Sequence, residues 1–317
     1  MSDTISVGVI GASGMMGKSR VRHFQEDPRS QVLSACARDI RRLAEAVPDE
    51  SISLVAHADE VLDDPRIQAV TINVPNTLHY DHVLRALQAG KHVHCEYPLT
   101  QTLEQYDELV AVARSKGLVL HHALTCRAES LHLTMRGALE GLGEPKAAYY
   151  RYYGGAGWYV DPALRGDMFC ALHIHFIDQF IDFFGAPQSL AAHGGEKDGQ
   201  VCAAVMMQWP GGLFGTVEFA MGFVDHPSYS GRIVTSDGWV GFDSDGAVTV
   251  TVGEGGETGQ MTPPPDLSQA EDAQSFLDEI LGTGDPQCDL QTGRETLAIC
   301  LECSRQLKEK ARAWDDR

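Results

Sequence analysis

Positive charge is in short supply in this sequence. Across 317 residues, 25 basic side chains face 44 acidic ones, for a formal net charge of −19. A surface of that sign repels polyanions, which argues against nucleic acid or an anionic membrane as the main partner. Lysine is scarce even beside arginine. Long apolar runs are missing too: none approaches the ~18 residues that a membrane-spanning helix needs. The opening MSDTISVGVIG has no basic stretch before its first apolar run, so no signal peptide is read and a cytoplasmic protein is expected. A disulfide framework is also lacking. The 8 cysteines sit mostly in apolar runs, where cysteine packs as a small hydrophobe. Cys300 and Cys303 form a C-x-x-C inside a helical pattern. No second pair lies nearby and no βαβ unit starts there, which argues against a redox or zinc site.

What is present is a rhythm. Apolar strands at Thr4–Ile10, Gln31–Ala37, Ser53–Ala56, Ile67–Val74, His92–Cys95 and Leu118–His122 alternate with helical patterns ending near Glu26, Ala46, Leu62, Ala89 and Ser115. This alternation predicts a parallel sheet covered on both faces. After His122 the rhythm changes. A helix is expected over Glu129–Leu142, a strand over Lys146–Tyr153 and a strongly apolar helix over Met168–Phe184. Alternating strands follow at Leu190–His193, Val201–Trp209, Leu213–Ala220, Ser228–Ser236, Trp239–Asp243 and Val248–Val252, joined by Pro-Gly-Gly and Ser-Asp-Gly turns. Gly253–Pro265 reads as a linker, and Gln269–Leu281 and Thr292–Ala313 as closing helices. The expected fold is α/β. A doubly wound Rossmann domain over residues 1–123 precedes an α+β domain over 124–317, with a mostly antiparallel open sheet for substrate binding and oligomerisation.

Gly11-Ala12-Ser13-Gly14-Met15-Met16-Gly17 lies between the first strand and the first helix. Glycines there permit a tight turn, and the helix N-terminus offers free N–H groups to a pyrophosphate. Gly11, Ser13, Gly14, Met15, Met16 and Gly17 are therefore the expected phosphate cradle. The second strand ends in Ala37-Arg38-Asp39, followed by Arg41-Arg42. An acidic residue at that point usually binds the ribose 2′-hydroxyl of NAD, whereas an arginine accommodates the 2′-phosphate of NADP. NADP(H) is favoured through Arg38, with NAD(H) the alternative if Asp39 turns onto the ribose.

The glycine loop, Pro75-Asn76-x-x-His79, the run AGKHVHCEYP and a later His175-x-x-Asp178 together resemble the Gfo/Idh/MocA oxidoreductase family over nearly the whole chain. The resemblance implies that Asn76, His79, Glu96 and the residue at 97 line the cofactor pocket, and that Arg127 and His175 serve the substrate. That family's signature is Glu-Lys-Pro, its lysine commonly acting in proton transfer. Here Tyr97 stands in place of the lysine, as in biliverdin reductase-like members. Ala171 stands where the Asp of a D-x-x-x-H pattern is expected, and Asp167, one turn earlier, is the candidate to replace it.

A hydride enzyme needs a proton donor or acceptor near the reacting carbon. Tyr97, with an ordinary phenol pKa of ~10, suits donation in the reductive direction, and an ionised Glu96 beside it would favour the protonated form. His175 changes charge near neutral pH, and Asp178, three residues on, shares its side of the helix. Catalytic roles are thus expected for Tyr97, His175 and Asp178, and substrate contacts for Arg127, Asp167 and His175. Structural readings stand beside each: cofactor packing for Tyr97, a helix histidine for His175, an ion pair for Arg127. The histidines at 92/94, 121/122 and 173/175 have no carboxylate at ligand spacing in the sequence, so no metal is expected. The aromatic run Tyr149–Tyr159, around Gly154–Gly157, is read as sheet packing or a substrate cover. The expected activity is NAD(P)-dependent hydride transfer to or from a small cyclic substrate, more a reduction of C=O, C=N or conjugated C=C than a polyol oxidation. The rivals are a dinucleotide-sensing protein and a redox-neutral NAD-dependent glycosidase or epimerase. A homodimer or homotetramer through the second sheet is expected.

Overall fold

The computed structural model describes residues 4–154, 161–197, 200–222, 228–244, 246–252 and 257–315. The chain divides into two compact units. The first holds residues 1–125 with 268–294, and the second holds 126–267 with 295–317.

In the first unit, strands β1 (Ile5–Ile10), β2 (Ser30–Cys36), β3 (Ser53–Val55), β4 (Ala69–Ile72), β5 (His92–Glu96) and β6 (Leu120–Ala123) alternate with helices α1 (Met15–Glu26), α2 (Ile40–Ala46), α3 (Ala58–Leu62), α4 (His79–Gln88) and α5 (Leu103–Lys116). The sheet order is β3-β2-β1-β4-β5-β6, with every pairing parallel. All four residues of β4 and of β6 are buried, as a sheet covered on both faces requires. The strand order reverses between β1 and β4, and ligands of such sheets bind at the C-terminal strand ends beside that reversal. Local signals set the helix ends. The Thr102 hydroxyl accepts from Gln105 N at the start of α5, and Gly117 ends it at φ 65°.

One expected boundary is corrected. Helix α9 (Ser268–Leu281), assigned from sequence to the second domain, belongs to the first unit. Its Ala273, Phe276 and Leu277 complete a core with Val7, Val9 and Phe24. Burial of that apolar face decides its membership, whatever its place in the sequence.

The second unit opens with α6 (Ser130–Leu139) and β7 (Pro145–Gly154), then α7 (Pro162–Arg165) and α8 (Ile174–Phe184). Strands β8 (Ser189–Lys197), β9 (Gln200–Gln208), β10 (Phe214–Met221), β11 (Ser228–Thr235), β12 (Gly238–Phe242), β13 (Val248–Val252) and β14 (Thr258–Met261) complete it. The sheet runs β14-β13-β12-β11-β7-β10-β9-β8, antiparallel except where β10 meets β7. Its inner face carries Tyr150, Val205, Val217 and Ile233, and Tyr150 packs edge-on against Phe180 of α8. Gly231 makes room for the Tyr150 ring, which any Cβ there would overlap. The final helix α10 (Leu290–Asp315) contributes residues to both units.

Two further expectations change. Thr258–Met261, read as linker, forms the edge strand β14. The expected single helix Met168–Phe184 is instead a π-helical turn, Phe169–His173, running into α8. Of the aromatic run, Trp158 and Tyr159 lie outside the described residues.

Candidate functional site

The glycine loop closes by backbone contact. Gly11 N and Ala12 N donate to Cys36 O at 2.9 and 3.0 Å, which ties the loop to the end of β2. A Cβ on Gly11, at φ 85°, would overlap Asn73 O, and one on Gly17 would overlap Gly11 O and Ala12. Gly14 differs: a Cβ there would meet only Gly11 O, at 3.5 Å. Gly14 is the N-cap of α1. No side chain caps that end, and its first turn holds no acidic residue. The N–H groups of Met15, Met16 and Gly17 therefore await an anion, beside a close-packed turn with Ser13 half-buried in it. A dinucleotide pyrophosphate fits this cradle.

At the end of β2 the structure gives Asp39 a different task from the one expected. Its Oδ1 accepts from Arg41 N at 3.0 Å and Arg42 N at 3.1 Å, capping α2. Arg38, Arg41 and Arg42 are exposed, and among the described residues none of their side chains is ion-paired. At the end of β4, Asn76 is buried in the 3₁₀ turn that leads into α4. His79 is fully buried, with Nε2 2.8 Å from Val74 O and Nδ1 2.7 Å from Pro98 O. Burial lowers its pKa despite those carbonyls, and a neutral ring donates to only one of them. His79 thus fastens two strand ends together from beneath. Tyr97 follows β5, is 9% exposed and precedes Pro98 across a cis peptide bond.

Glu96 ends β5, and its Oε1 accepts from Arg20 Nε at 2.7 Å. Arg20 is fully buried. Its Nη1 donates to Gln269 O at 2.8 Å and its Nη2 lies 2.8 Å from Asp272 Oδ2, both on α9. Asp272 also accepts from His94 Nε2 at 2.8 Å and His121 Nε2 at 2.9 Å, while His121 Nδ1 reaches Glu279 at 2.5 Å. The two rings stack, with centroids 5.2 Å apart. Burial works against charge on His121, but Asp272 and Glu279 outweigh it and hold the ring up at about 9. His94, desolvated and beside Arg20, is pushed down to about 4. Sequence spacing showed no carboxylate near these histidines, yet the fold supplies Asp272. The ligand atoms of His94, His121 and Asp272 lie within 4.8 Å of one another. Those atoms already bond each other, and Arg20 adds a cation to the carboxylate. The arrangement reads as a hydrogen-bonded ion network.

In the second unit, the π turn and α8 carry the expected second-domain residues. Burial pushes His173 down to about 3, and its ring stacks on Phe219 at 3.5 Å between centroids. His175 is half-buried. Asp178 is fully buried, and its carboxylate is taken by Arg127 Nε and Nη2 at 2.6 and 2.7 Å and by Thr296 Oγ1 at 2.8 Å. Asp167 caps the π turn, its Oδ1 accepting from Phe169 N, Cys170 N and Ser304 Oγ at 3.0, 3.2 and 2.6 Å. Ala171 is buried. Geometry therefore gives Arg127, Asp178 and Asp167 structural work, while His175 is half-exposed in the first turn of α8. Glu129 was missed: burial and Asp266 push its carboxyl up to about 7, against the pull of Gln179. Arg20, Asp272 and Glu279 were missed as well. One signal was available, because Arg20 lies on the stripe of Gly17 and Phe24 that α1 buries.

Residues 5–124 match the oxidoreductase family model for the NAD-binding Rossmann fold of the Gfo/Idh/MocA group, and residues 137–241 match the model of its C-terminal domain. The chain belongs to the Gfo/Idh/MocA family. This member is 30% identical over 204 residues to scyllo-inositol 2-dehydrogenase (NADP(+)) IolW of Bacillus subtilis (strain 168), covering 60% of this chain and 55% of that protein. It is 35% identical over 162 residues to 1,5-anhydro-D-fructose reductase of Ensifer adhaerens, covering 50% and 47%. The chain thus spans about half the length of these curated relatives. Biliverdin reductase of Synechocystis sp. PCC 6803, solved with biliverdin and NADP+, shares the fold at a TM-score of 0.87 and 24% identity, over 96% of this chain and 99% of that one. A 3-ketoreductase of Actinomadura kijaniata does so at 0.84 and 20%, over 94% and 96%.

Proposed function

We propose that this Gfo/Idh/MocA member is an NADPH-dependent reductase acting on a small cyclic substrate that carries C=O, C=N or a conjugated C=C. The observation that carries the reading is the uncapped α1 N-terminus in its glycine cradle, beside the three exposed arginines that follow β2. The capping role of Asp39 removes the acidic group an NAD ribose would need, which favours NADP(H) over NAD(H). Relatives point the same way: the name of IolW specifies NADP(+).

When bound, the nicotinamide supplies the hydride. The chain's own residues hold it and manage the proton. Met15–Gly17 backbone N–H groups take the pyrophosphate, Arg38 the 2′-phosphate, and Asn76 and Glu96 border the cofactor. Tyr97 would give its phenolic proton to the atom that gains negative charge as the carbon takes the hydride (the oxygen, the nitrogen or the far end of the conjugated system), the task a lysine commonly performs in the family. Glu96-Tyr97-Pro98 resembles the variant of biliverdin reductase-like members, and the reductive direction rests on that resemblance. His175 is the second candidate for polarising the substrate. Asp178 and Arg127 act as supports of its helix.

The test is a screen of NADPH and NADH oxidation against ketosugars, cyclic imines and linear tetrapyrroles, with Tyr97→Phe and His175→Ala as controls. Turnover with NADPH is expected, falling by ~10²-fold in Tyr97→Phe and sharply in His175→Ala. Full activity in both would overturn the assigned roles, and release of tightly held NAD without net turnover would favour a redox-neutral reaction instead. We propose further that the protein forms a homodimer or homotetramer through the outward face of the second-unit sheet. Phe214 and Val234 are exposed there in one row and Met206 in the next. No helix among the described residues is long and apolar enough to cross a membrane. The 8 cysteines, none in a disulfide, fit a cytoplasmic setting.

A further inference from the structure

We infer that Asp272, acting through Arg20, positions Glu96 at the nucleotide-binding edge, so that helix α9 is a working part of the cofactor site. The inference rests on the cofactor reading above. A buried guanidinium is tolerated where opposite charge and hydrogen bonds surround it, and Arg20 has Nε on Glu96, Nη1 on Gln269 O and the Asp272 carboxylate beside Nη2. Gln269 O and Asp272 fix it from α9, which leaves Nε aimed at Glu96. The Glu96 side chain is 15% exposed, against 0% for Arg20 and 1% for Asp272. The ion chain therefore surfaces at its two ends, at Glu96 and at Glu279, whose side chain is also 15% exposed, and the rotamer of Glu96 follows the placement of Arg20.

A second branch leaves the same carboxylate. Thr71 Oγ1 lies 2.9 Å from His94 Nδ1, so a neutral His94 accepts there and donates a hydrogen bond from Nε2 to Asp272. Asn73 Nδ2 donates to Thr71 Oγ1 at 3.3 Å and to Ile10 O at 3.2 Å. Asn73 O is the atom that a Cβ on Gly11 would overlap. Asp272 thus reaches both the Glu96 side and the phosphate-loop side of the edge. Two cations, Arg20 and a protonated His121, stand among three carboxylates, Glu96, Asp272 and Glu279. The titratable groups facing His121 are Asp272 and Glu279 on α9 and His94 on β5, with Arg20 on α1 acting on both His94 and Asp272.

The test uses the full chain, with NADPH binding followed by fluorescence titration and thermal midpoints recorded alongside. In Asp272→Asn and Arg20→Lys, assayed well below their midpoints, NADPH affinity is expected to fall about tenfold, the loss of one charge-assisted hydrogen bond. In the wild type, NADPH binding is expected to weaken as pH rises through about 9 and His121 loses its proton. Glu279→Gln moves that inflection to lower pH. This arm needs no change at the buried centre and stands even if Asp272→Asn fails to fold. A purely structural role predicts lower midpoints with unchanged affinity and no shifted inflection, and that result overturns the inference. A wild type that binds neither NADPH nor NADH overturns the cofactor reading, and this inference with it.

Discussion

Tyr97 concentrates the chemical question in one oxygen atom. Tyr97→Phe keeps the ring and its packing and removes only the proton. If the phenol donates, kcat falls by ~10²-fold, within the usual span for general acid–base catalysis, while NADPH affinity stays within about twofold. If the ring only packs, both constants hold. Steady-state kinetics with fluorescence titration separates the outcomes. Arg38 permits a cleaner test of cofactor choice. Exposed and without an ion pair among the described residues, it can be removed with little structural cost. Arg38→Ala is expected to weaken NADPH binding about tenfold, through loss of a charge-assisted phosphate contact, and to leave NADH unchanged. Equal losses for both nucleotides would return the 2′-position to Asp39. At this scale the sequence was legible where chemistry is local. The glycine loop is seven consecutive residues, and turn geometry dictates its glycines. Arg20 and Asp272 lie near opposite ends of the chain, and no spacing rule connects them. The cap formed by Asp167 was not read from the sequence, because resemblance drew that residue toward the substrate.

Whole elements were legible when their periodicity was strong. The parallel strands announce themselves as short apolar runs, whereas Thr258–Met261 is exposed at all four positions and has no apolar alternation to betray β14. The π turn leaves no mark either, since residues 168–184 are apolar almost throughout and one inserted residue is invisible to a helical period. Helix α9 changes owner for a related reason: amphipathicity says that a face is buried, but not against which sheet. Its ion network carries a stability signature. The folded His121 sits near 9, above the ordinary imidazole value of ~6.5, so it binds its proton more tightly folded than unfolded. Its contribution is complete below pH ~6.5 and is lost as pH rises toward 9, at no more than ~1.4 kcal/mol per pH unit. Urea midpoints across that window are expected to fall with pH in the wild type and to flatten in His121→Gln. The start of α10 offers a steric counterpart. Gly293 lies so close to His122 that an added Cβ would overlap the buried ring. Gly293→Ala is expected to cost about 1–3 kcal/mol, as overpacking does, despite alanine's better helix propensity. A raised thermal midpoint would mean that the ring can move aside.

For the molecule as a whole, the open sheet sets the remaining prediction. One face of the eight strands is filled by Tyr150, Val205, Val217 and Ile233, and the opposite face has no covering among the described residues. Register places Phe214, Ala147, Val234 and Trp239 side by side across β10, β7, β11 and β12. The next row runs Met206, Thr216, Tyr149 and Arg232, with the Arg232 guanidinium 3.9 Å above the Trp239 ring centroid. Arg151 and Glu218 add an ion pair further along the same face. Apolar rows edged by such polar groups are what a self-complementary interface presents. Two copies of a chain at −19 repel one another, however, and the repulsion is long-ranged at low ionic strength. Association is therefore expected to strengthen with salt, as screening removes the charge term and leaves apolar burial. Light scattering across protein concentration, at low and at physiological salt, measures this directly. A dimer or tetramer is expected at physiological salt, and Phe214→Glu with Val234→Lys is expected to return it to monomer with the thermal midpoint little changed. A wild-type monomer at every concentration and salt would leave the outward face without a partner copy and end the oligomer proposal.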